Sequence, residues 1–192
     1  MDSSLYYIDW KDIQLSLAEA GNAYFANASR AKSQGIEFSA EAKPSTGLTI
    51  AGWIVFNDAK LTQSFPPSAA AYGVSGDRLP FSSRISGNLS FDWDFSLAPG
   101  VMGFTGGEVS YVGDRESSFL PTAPPPDRQN LPGYAQMDLR AGVKYESWTI
   151  GLFANNVANK RGLLGGGVGG FSPTVFTLIQ PRTIGLSLSK KF

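Results

Sequence analysis

The chain has 192 residues, and its 16 basic and 16 acidic side chains give a formal net charge of zero, so there is no electrostatic argument for a nucleic-acid partner. It contains neither cysteine nor histidine, which excludes disulfides, thiolate chemistry and imidazole bases and removes the commonest metal ligands. We therefore predict no catalytic residue, no metal site and no cofactor, and we do not expect an enzyme.

The composition favours strands over helices. The chain has 22 glycines and 12 prolines, and 12% of its residues are aromatic, which is typical of many strands separated by loops. No stretch approaches the roughly 18 to 20 apolar residues that a membrane-spanning helix requires. The prediction is an all-β fold of about eight strands, joined by connections that alternate between short and long.

The first predicted strand covers residues 5–10. An exported chain would carry a basic and apolar leader at this point, so we expect a fragment whose upstream part is missing. The bulky residues change phase near Lys11 and Asp12, which predicts a β-bulge there or a different register. Two further strands follow at residues 36–43 and 48–56, where bulky apolar residues recur mostly at every second position.

The cleanest strand pattern covers residues 85–97. Side chains of a strand point alternately to its two faces, so one face here is apolar and the other is polar. The apolar face carries Ile85, Gly87, Leu89, Phe91, Trp93, Phe95 and Leu97. This run is long enough to cross a hydrocarbon layer, for which a tilted strand needs about 9 to 11 residues.

Two later segments repeat this pattern. Residues 135–146 alternate in the same way and carry four charges on the polar face. In residues 184–192 the bulky positions Ile184, Leu186, Leu188 and Phe192 suit lipid, and the small residues Gly185, Ser187 and Ser189 suit a wet lumen. Residues 102–112 are rich in glycine and remain ambiguous. The predicted fold class is an antiparallel transmembrane β-barrel segment with short periplasmic turns and long extracellular loops.

The connection lengths predict an orientation, because bacterial barrels keep short turns in the periplasm and long loops outside. The short connections are residues 43–47, 98–100 and 146–148, and the long ones are about residues 18–29, 60–84, 114–132 and 160–180. Strict alternation places the C-terminus in the periplasm of a Gram-negative cell. An aromatic girdle is then expected beside the short turns, formed by Trp93, Phe95, Tyr145 and Trp148.

Several short motifs, taken in order, resemble one known family. They are Gln34-Gly35-Ile36-Glu37, Asn57-Asp58-Ala59-Lys60-Leu61, Gly76-Asp77-Arg78-Leu79-Pro80, Tyr134 to Arg140, Asn155 to Arg161, Pro181 to Leu186 and the terminal Phe192. Their order and spacing across essentially the whole chain resemble the C-terminal barrel region of the TonB-dependent outer-membrane receptors. The sequence departs from the family pattern at Lys190, where the terminal motif often has an apolar or aromatic residue.

The resemblance implies a function and a set of partners. Such receptors are 22-stranded barrels, closed by an N-terminal plug, that take up a large scarce solute such as a ferric siderophore, cobalamin or an oligosaccharide. This chain would supply the last eight or so strands, with the plug and the earlier strands absent. The implied partners are outer-membrane lipid, the barrel assembly machinery, the solute, and the TonB energy-coupling system acting through the missing plug.

The receptor interpretation places candidate solute contacts in the long loops, where aromatic faces and charged groups can grip a hydrophilic ligand. The candidates are Phe65, Tyr72, Arg78, Arg115, Phe119 and Arg128. Phe192 resembles the terminal aromatic signal that the outer-membrane assembly machinery recognises, so we expect it to act as the assembly signal.

Other motifs have simpler interpretations. Asp92 and Asp94 could mimic a catalytic carboxylate pair, but a polar wall facing the lumen explains them better. Residues 165–170 are almost all glycine and are interpreted as a flexible external loop, because no Lys-Ser or Lys-Thr follows them. Asn155 and Asn156 are interpreted as structural residues at a strand end, and residues 124–126, three consecutive prolines, as a stiff spacer.

Two other classes of protein remain as alternatives. A self-contained eight-stranded barrel with a structural or adhesive role is possible, since eight strands can close around an interior filled by side chains. An outer-membrane enzyme would need a nucleophile and a base, and without histidine a Ser-His pair cannot be assembled from this chain alone.

Overall fold

The computed structural model describes residues 1–19, 22–69, 72–119, 128–166 and 175–191. These residues form an antiparallel sheet of eight strands and two small two-stranded sheets. No helix in the described ranges is long and apolar enough to cross a membrane. The all-β prediction and the number of main strands are confirmed.

The strands of the main sheet, in spatial order, are β1 (Asp2–Glu19), β2 (Asn22–Ser45), β3 (Leu48–Leu61), β4 (Ile85–Ala98), β5 (Val101–Val112), β8 (Tyr134–Tyr145), β9 (Trp148–Asn155) and β12 (Thr183–Lys190). The small sheets pair β6 (Arg115–Glu116) with β7 (Asn130–Leu131), and β10 (Leu163–Gly166) with β11 (Phe176–Leu178). Among the described strands, β1 pairs only with β2 and β12 only with β9, so the main sheet is open.

The register aligns apolar side chains into rows on one face, here called the outer face. Directly opposed residues on neighbouring strands share a face. One row runs through Ala42, Ile50, Phe91, Gly107, Leu139, Ala154 and Ile184. Leu186 is 79% exposed on this face, although a water-soluble sheet would bury such a side chain. The aromatic residues Trp93, Phe95, Tyr145 and Trp148 lie on the same face beside the short turns, as predicted.

The glycine-rich strand β5 resolves the ambiguity of residues 102–112. Gly107 lies opposite Phe91 and Leu139 on the outer face. A Cβ atom at Gly107 would come within 2.7 Å of Leu139 Cδ2 and 3.0 Å of Phe91 Cε1. Glycine therefore occupies this position because the side chains of Leu139 and Phe91 fill the space above it. Without a side chain at position 107, the alternation typical of a strand is not visible in the sequence.

The predicted bulge in β1 is confirmed. The register shifts between Trp10 and Ile13, and Asp12 has a φ of 58°. Trp10 lies opposite Ala31, and Ile13 lies opposite Ser29. Ala31 and Ser29 are two residues apart in β2, so Trp10 and Ile13 lie on the same face of the sheet. Lys11 and Asp12 thus lie against the single residue Arg30 of β2, and this one extra residue explains why the bulky side chains change phase in the sequence.

The predicted long connection at residues 18–29 is wrong. β1 and β2 continue as a paired ladder to Glu19 and Asn22, with a second register shift between Ile13 and Gln14. The segment is rich in alanine and asparagine, which have low strand propensity, and the pairing of the two strands overrides that preference. The other three long connections lie at the same end of the sheet.

The three predicted short turns are confirmed as two-residue connections at 46–47, 99–100 and 146–147. Each contains a residue with positive φ, namely Gly47, Gly100 and Glu146. At Gly47 the backbone amide of Asp94 donates to the glycine carbonyl at 2.9 Å. The φ of 79° favours glycine at position 47, and a Cβ atom there would collide with the carbonyl oxygen of Asp94.

The two faces of β4 should respond in opposite ways to charge. Leu89 is 61% exposed on the outer face, whereas its neighbour Asn88 points to the opposite face. We expect Leu89→Arg to destabilise the natural polypeptide by about 2 to 4 kcal/mol in a bilayer, the cost of a cation on the lipid face. Asn88→Arg is the matched control and should cost much less. Urea unfolding in liposomes measures both, and equal midpoints would contradict the assigned faces.

Candidate functional site

The first two long loops meet over a small apolar cluster at one end of the sheet. Ile13, Ala31 and Leu61 form its buried centre, and Leu15, Phe65, Leu79 and Phe119 pack against it. Phe65 and Phe119 come from different loops, and their rings lie 5.0 Å apart at an angle of 72°, an edge-to-face contact. These two predicted solute contacts therefore hold the loops together.

Arg78 also links the two loops. Its guanidinium donates to Asp114 Oδ2 at 2.7 Å, and its side chain is only 13% exposed. The hydrogen bond from Arg78 lowers the pKa of the Asp114 carboxyl below its ordinary value, against a smaller opposing effect of burial. The carboxylate thus stays charged, and this link stays intact, at any pH above the normal range of an aspartate.

The second loop carries the other two predicted arginines. Arg128 forms a salt bridge with Glu116 at 3.1 Å, and both side chains are 18% exposed. Arg115 is buried, donates to the carbonyl of Leu163 at 2.6 Å and lies 5.8 Å from the ring centre of Tyr134. Arg115 therefore connects the second loop to β10 in the third.

The six predicted solute contacts thus have different surroundings. Five of them make contacts within the chain, and Tyr72 is 42% exposed. Tyr72 forms no hydrogen bond or ring contact with any residue that the structure describes. Binding of a solute by these six residues stays a prediction. Phe192 and residues 124–126 lie outside the described residues.

The third long connection is organised by Asn156, a residue that sequence reasoning placed only at a strand end. Its side chain is buried, donates to the carbonyls of Lys160 at 2.9 Å and Gln180 at 2.8 Å, and accepts from the amide of Lys160 at 2.8 Å. The backbone amide of Asn156 donates to Oδ1 of Asp138, in β8, at 2.6 Å. Asn156 has a φ of 50°, a conformation that asparagine tolerates better than most residues.

The glycines of this connection were expected in a flexible loop. Gly165 and Gly166 instead belong to β10 and pair with Thr177 and Phe176 of β11. The remaining glycines, residues 167–170, lie outside the described residues.

The face opposite the outer face, here called the inner face, carries paired charges near the short turns. Asp92 of β4 pairs with Arg140 of β8 across the intervening Gly106 of β5. Two residues further along β4, Asp94 lies 2.8 Å from Lys144, whose amine is 5.3 Å from the ring centre of Phe104. Each acid thus faces its own base, which supports the polar-wall interpretation of Asp92 and Asp94.

The fold and these faces define a class of protein. An antiparallel sheet with an apolar, exposed outer face, an ion-paired inner face and loops gathered at one end is the wall of a membrane-spanning β-barrel. A model of the family described as TonB dependent receptor-like, beta-barrel matches residues 1–157. The chain belongs to the TonB-dependent receptor β-barrel family, whose members are outer-membrane barrels.

Solved structures support the same fold. The ferric yersiniabactin uptake receptor FyuA from Yersinia pestis matches with a TM-score of 0.79 at 20% identity, over 99% of this chain and 27% of its own. The ferric-catecholate import receptor Fiu from K12 E. coli matches with a TM-score of 0.73 at 13% identity, over 99% of this chain and 25% of its own. BauA, the ferric preacinetobactin receptor from Acinetobacter baumannii, matches with a TM-score of 0.65 at 17% identity, over 99% of this chain and 26% of its own.

The chain thus spans about a quarter of the length of these receptors. A comparison with the curated proteins found no match. At these identities the structural likeness establishes the fold alone.

Replacing Asn156 should loosen the third connection. Asn156→Ala removes three side-chain hydrogen bonds and leaves the Gln180 carbonyl without this partner, so we expect a loss of about 2 to 4 kcal/mol in the free energy of unfolding. Asn155→Ala is the matched control, because no hydrogen bond of the Asn155 side chain joins it to a described residue. Urea unfolding, with proteolysis between residues 160 and 180, measures the effect. Equal protease sensitivity of the two variants would show that Asn156 does not hold this connection.

Proposed function

We propose that the chain is part of an outer-membrane receptor that takes up a large scarce solute with energy relayed by the TonB system. The observation that carries the proposal is the family match over residues 1–157, on a sheet whose outer face suits lipid. The loop contacts fit the same function. Three long connections gather at one end, and Arg78, Arg115 and the pair of Phe65 and Phe119 fix them to one another.

The open sheet supports a longer barrel. Each unpaired backbone group facing lipid costs several kcal/mol, and the free edges of β1 and β12 would each present a row of them. Further strands that join these edges would remove the cost. We therefore propose that this chain supplies the C-terminal strands of a receptor about four times as long, in line with the share of each solved receptor that it matches. The plug would belong to the preceding part.

The lengths of the connections also support an orientation of the barrel in the membrane. We propose that the long loops face the cell exterior and the short turns face the periplasm, since barrels of this type place their loops in that way. Strand β12 then runs toward the periplasm, the side on which the assembly machinery acts, and Phe192 stays the proposed assembly signal.

The solute class proposed first is a ferric siderophore. Three of the structural neighbours are receptors for ferric yersiniabactin, a ferric catecholate and ferric preacinetobactin. Cobalamin and an oligosaccharide are the other classes that the test below distinguishes. The six loop residues stay the proposed contacts, and Tyr72 is the best placed of them because its ring is available to a ligand.

The size and activity of the natural polypeptide test this proposal. An antibody against residues 60–69 and 72–84 should detect an outer-membrane band several times larger than 20.5 kDa. Deleting the gene should abolish growth on a ferric siderophore as the only iron source, and uptake should depend on TonB. A band at 20.5 kDa would support the self-contained barrel instead. If the deletion strain takes up iron normally but loses uptake of cobalamin or of an oligosaccharide, the solute would be reassigned to that class.

Tyr72→Ala in the intact receptor should weaken solute binding about five- to tenfold, because an aromatic contact contributes roughly 1 kcal/mol beyond its buried area. Assembly should be unchanged, since the ring makes no hydrogen bond or ring contact with a described residue. Phe119→Ala is the contrasting variant, and it should lower stability by opening the contact with Phe65. Titration of solute binding, with heat-modifiable migration as the assembly control, measures both. Unchanged affinity in the assembled Tyr72 variant would remove Tyr72 from the site.

A further inference from the structure

Phe81 occupies a position in a turn that disfavours its side chain. Pro80 and Phe81 are the central residues of the turn from Leu79 to Ser82, which the amide of Ser82 closes by donating to the Leu79 carbonyl at 3.2 Å. Proline fixes its own φ at about −65°, and Phe81 has a φ of 57°, a combination that defines a type II turn. The second central position of such a turn calls for glycine or asparagine, and a bulky residue there is an outlier. Phe81 therefore costs stability where glycine would not.

The contacts around the turn hold Phe81 in this conformation. The hydroxyl of Ser82 also donates to the Leu79 carbonyl, at 2.6 Å. The amide of Phe81 donates to the carbonyl of Glu116, in the second long connection, at 2.8 Å. Strained residues persist only where the surrounding structure fixes them, and they are concentrated at ligand-binding and other functional sites. Two connections thus fix the backbone that carries the Phe81 ring.

The ring of Phe81 lies where the three long connections meet. The turn belongs to the first connection and Glu116 to the second. A Cβ atom added at Gly165, in the third connection, would lie 3.9 Å from Phe81 Cε1. Gly165 has no side chain that could cover the ring, and Phe81 is 51% exposed. The ring forms no aromatic contact with any residue that the structure describes and lies outside the apolar cluster below it. Burial of the side chain therefore does not offset the strain.

This junction of the connections lies on the inner side of the wall. Arg115 of the second connection donates to the carbonyl of Leu163 in the third, and it lies 5.8 Å from the ring centre of Tyr134. Tyr134 and Arg140 are six residues apart in β8 and so share the inner face. An exposed aromatic on the outer face would suit the membrane surface, whereas Phe81 is placed with groups that reach the inner row.

We propose that Phe81 is a solute-binding residue whose ring packs against an aromatic ring of a ferric chelate. The phenyl ring offers an apolar face without hydrogen-bonding groups, and aromatic rings prefer offset or edge-to-face packing against another ring. Glycine at position 81 would remove the strain together with this face, so the ring is present at a cost in stability. This assignment rests on the proposed function and narrows its solute to a ferric chelate that carries aryl groups, such as a ferric tricatecholate.

Three substitutions separate the ring from the strain in the natural full-length polypeptide. Purified protein is titrated with a ferric tricatecholate and with a ferric trihydroxamate, which has no aromatic ring. F81G should weaken tricatecholate binding about five- to tenfold, and it should raise the urea midpoint of unfolding in liposomes because the strain is gone. F81L keeps the strain and an apolar side chain, so it should lose the same affinity without raising the midpoint. F81Y keeps the ring and should bind within about twofold of the unchanged protein.

Each contrary result has a distinct meaning. A lower midpoint for F81G than for the unchanged protein would show that Phe81 stabilises the turn by packing, and it would overturn the inference. Equal tricatecholate binding by F81G and the unchanged protein would overturn it as well, and so would binding of the trihydroxamate alone. F81L, checked by heat-modifiable migration, gives the binding result in assembled protein even if F81G does not assemble. Failure of the unchanged protein to bind either chelate would count against the proposed solute, whereas equal binding by the variants counts against Phe81 only.

Discussion

Hydrogen bonding between neighbouring strands is the constraint on which the rest of the structure depends. In lipid every backbone polar group must find a partner within the protein, and the antiparallel ladder both satisfies these groups and decides which side chains share a face. A register shift of one residue would exchange the two faces. The row from Ile50 through Phe91 and Leu139 to Ile184 and the pairing of Asp92 with Arg140 on the inner face are therefore consequences of one register.

Loop organisation depends on that register as well. The strands bring the starts of the long connections to one end, where the cluster of Ile13, Ala31 and Leu61 provides a small apolar base. Aromatic and charged residues from separate loops then pair with each other above it. The arginines that sequence alone suggested as ligand contacts are occupied by Asp114, Glu116 and the Leu163 carbonyl. A solute would meet a surface whose charges are already arranged, and its strongest contacts would be groups left available, such as Tyr72.

Sequence reasoning succeeded where a strand obeys simple alternation. β4 and β8, the short turns and the bulge at Asp12 were predicted because large side chains mark the faces directly. It failed where another strand determines the residue choice. Gly107 is small because Phe91 and Leu139 cover it, and residues 22–29 are strand because β1 pairs with them. The partners of Arg78, Arg115 and Arg128 are distant in sequence or require the loop geometry, and a single sequence contains no signal for them.

The hydrogen bonds of Asn156 have a consequence for how such a chain can diverge. Asn156 binds the carbonyl of Gln180, so the two ends of the last connection are fastened to each other beside β8. Lengthening a connection whose ends are already fixed costs little, because the closure entropy grows only with the logarithm of its length. Insertions, deletions and surface changes between residues 163 and 178 can then accumulate without moving β9 or β12. The wall of the barrel can thus keep its register while this connection changes in length and sequence.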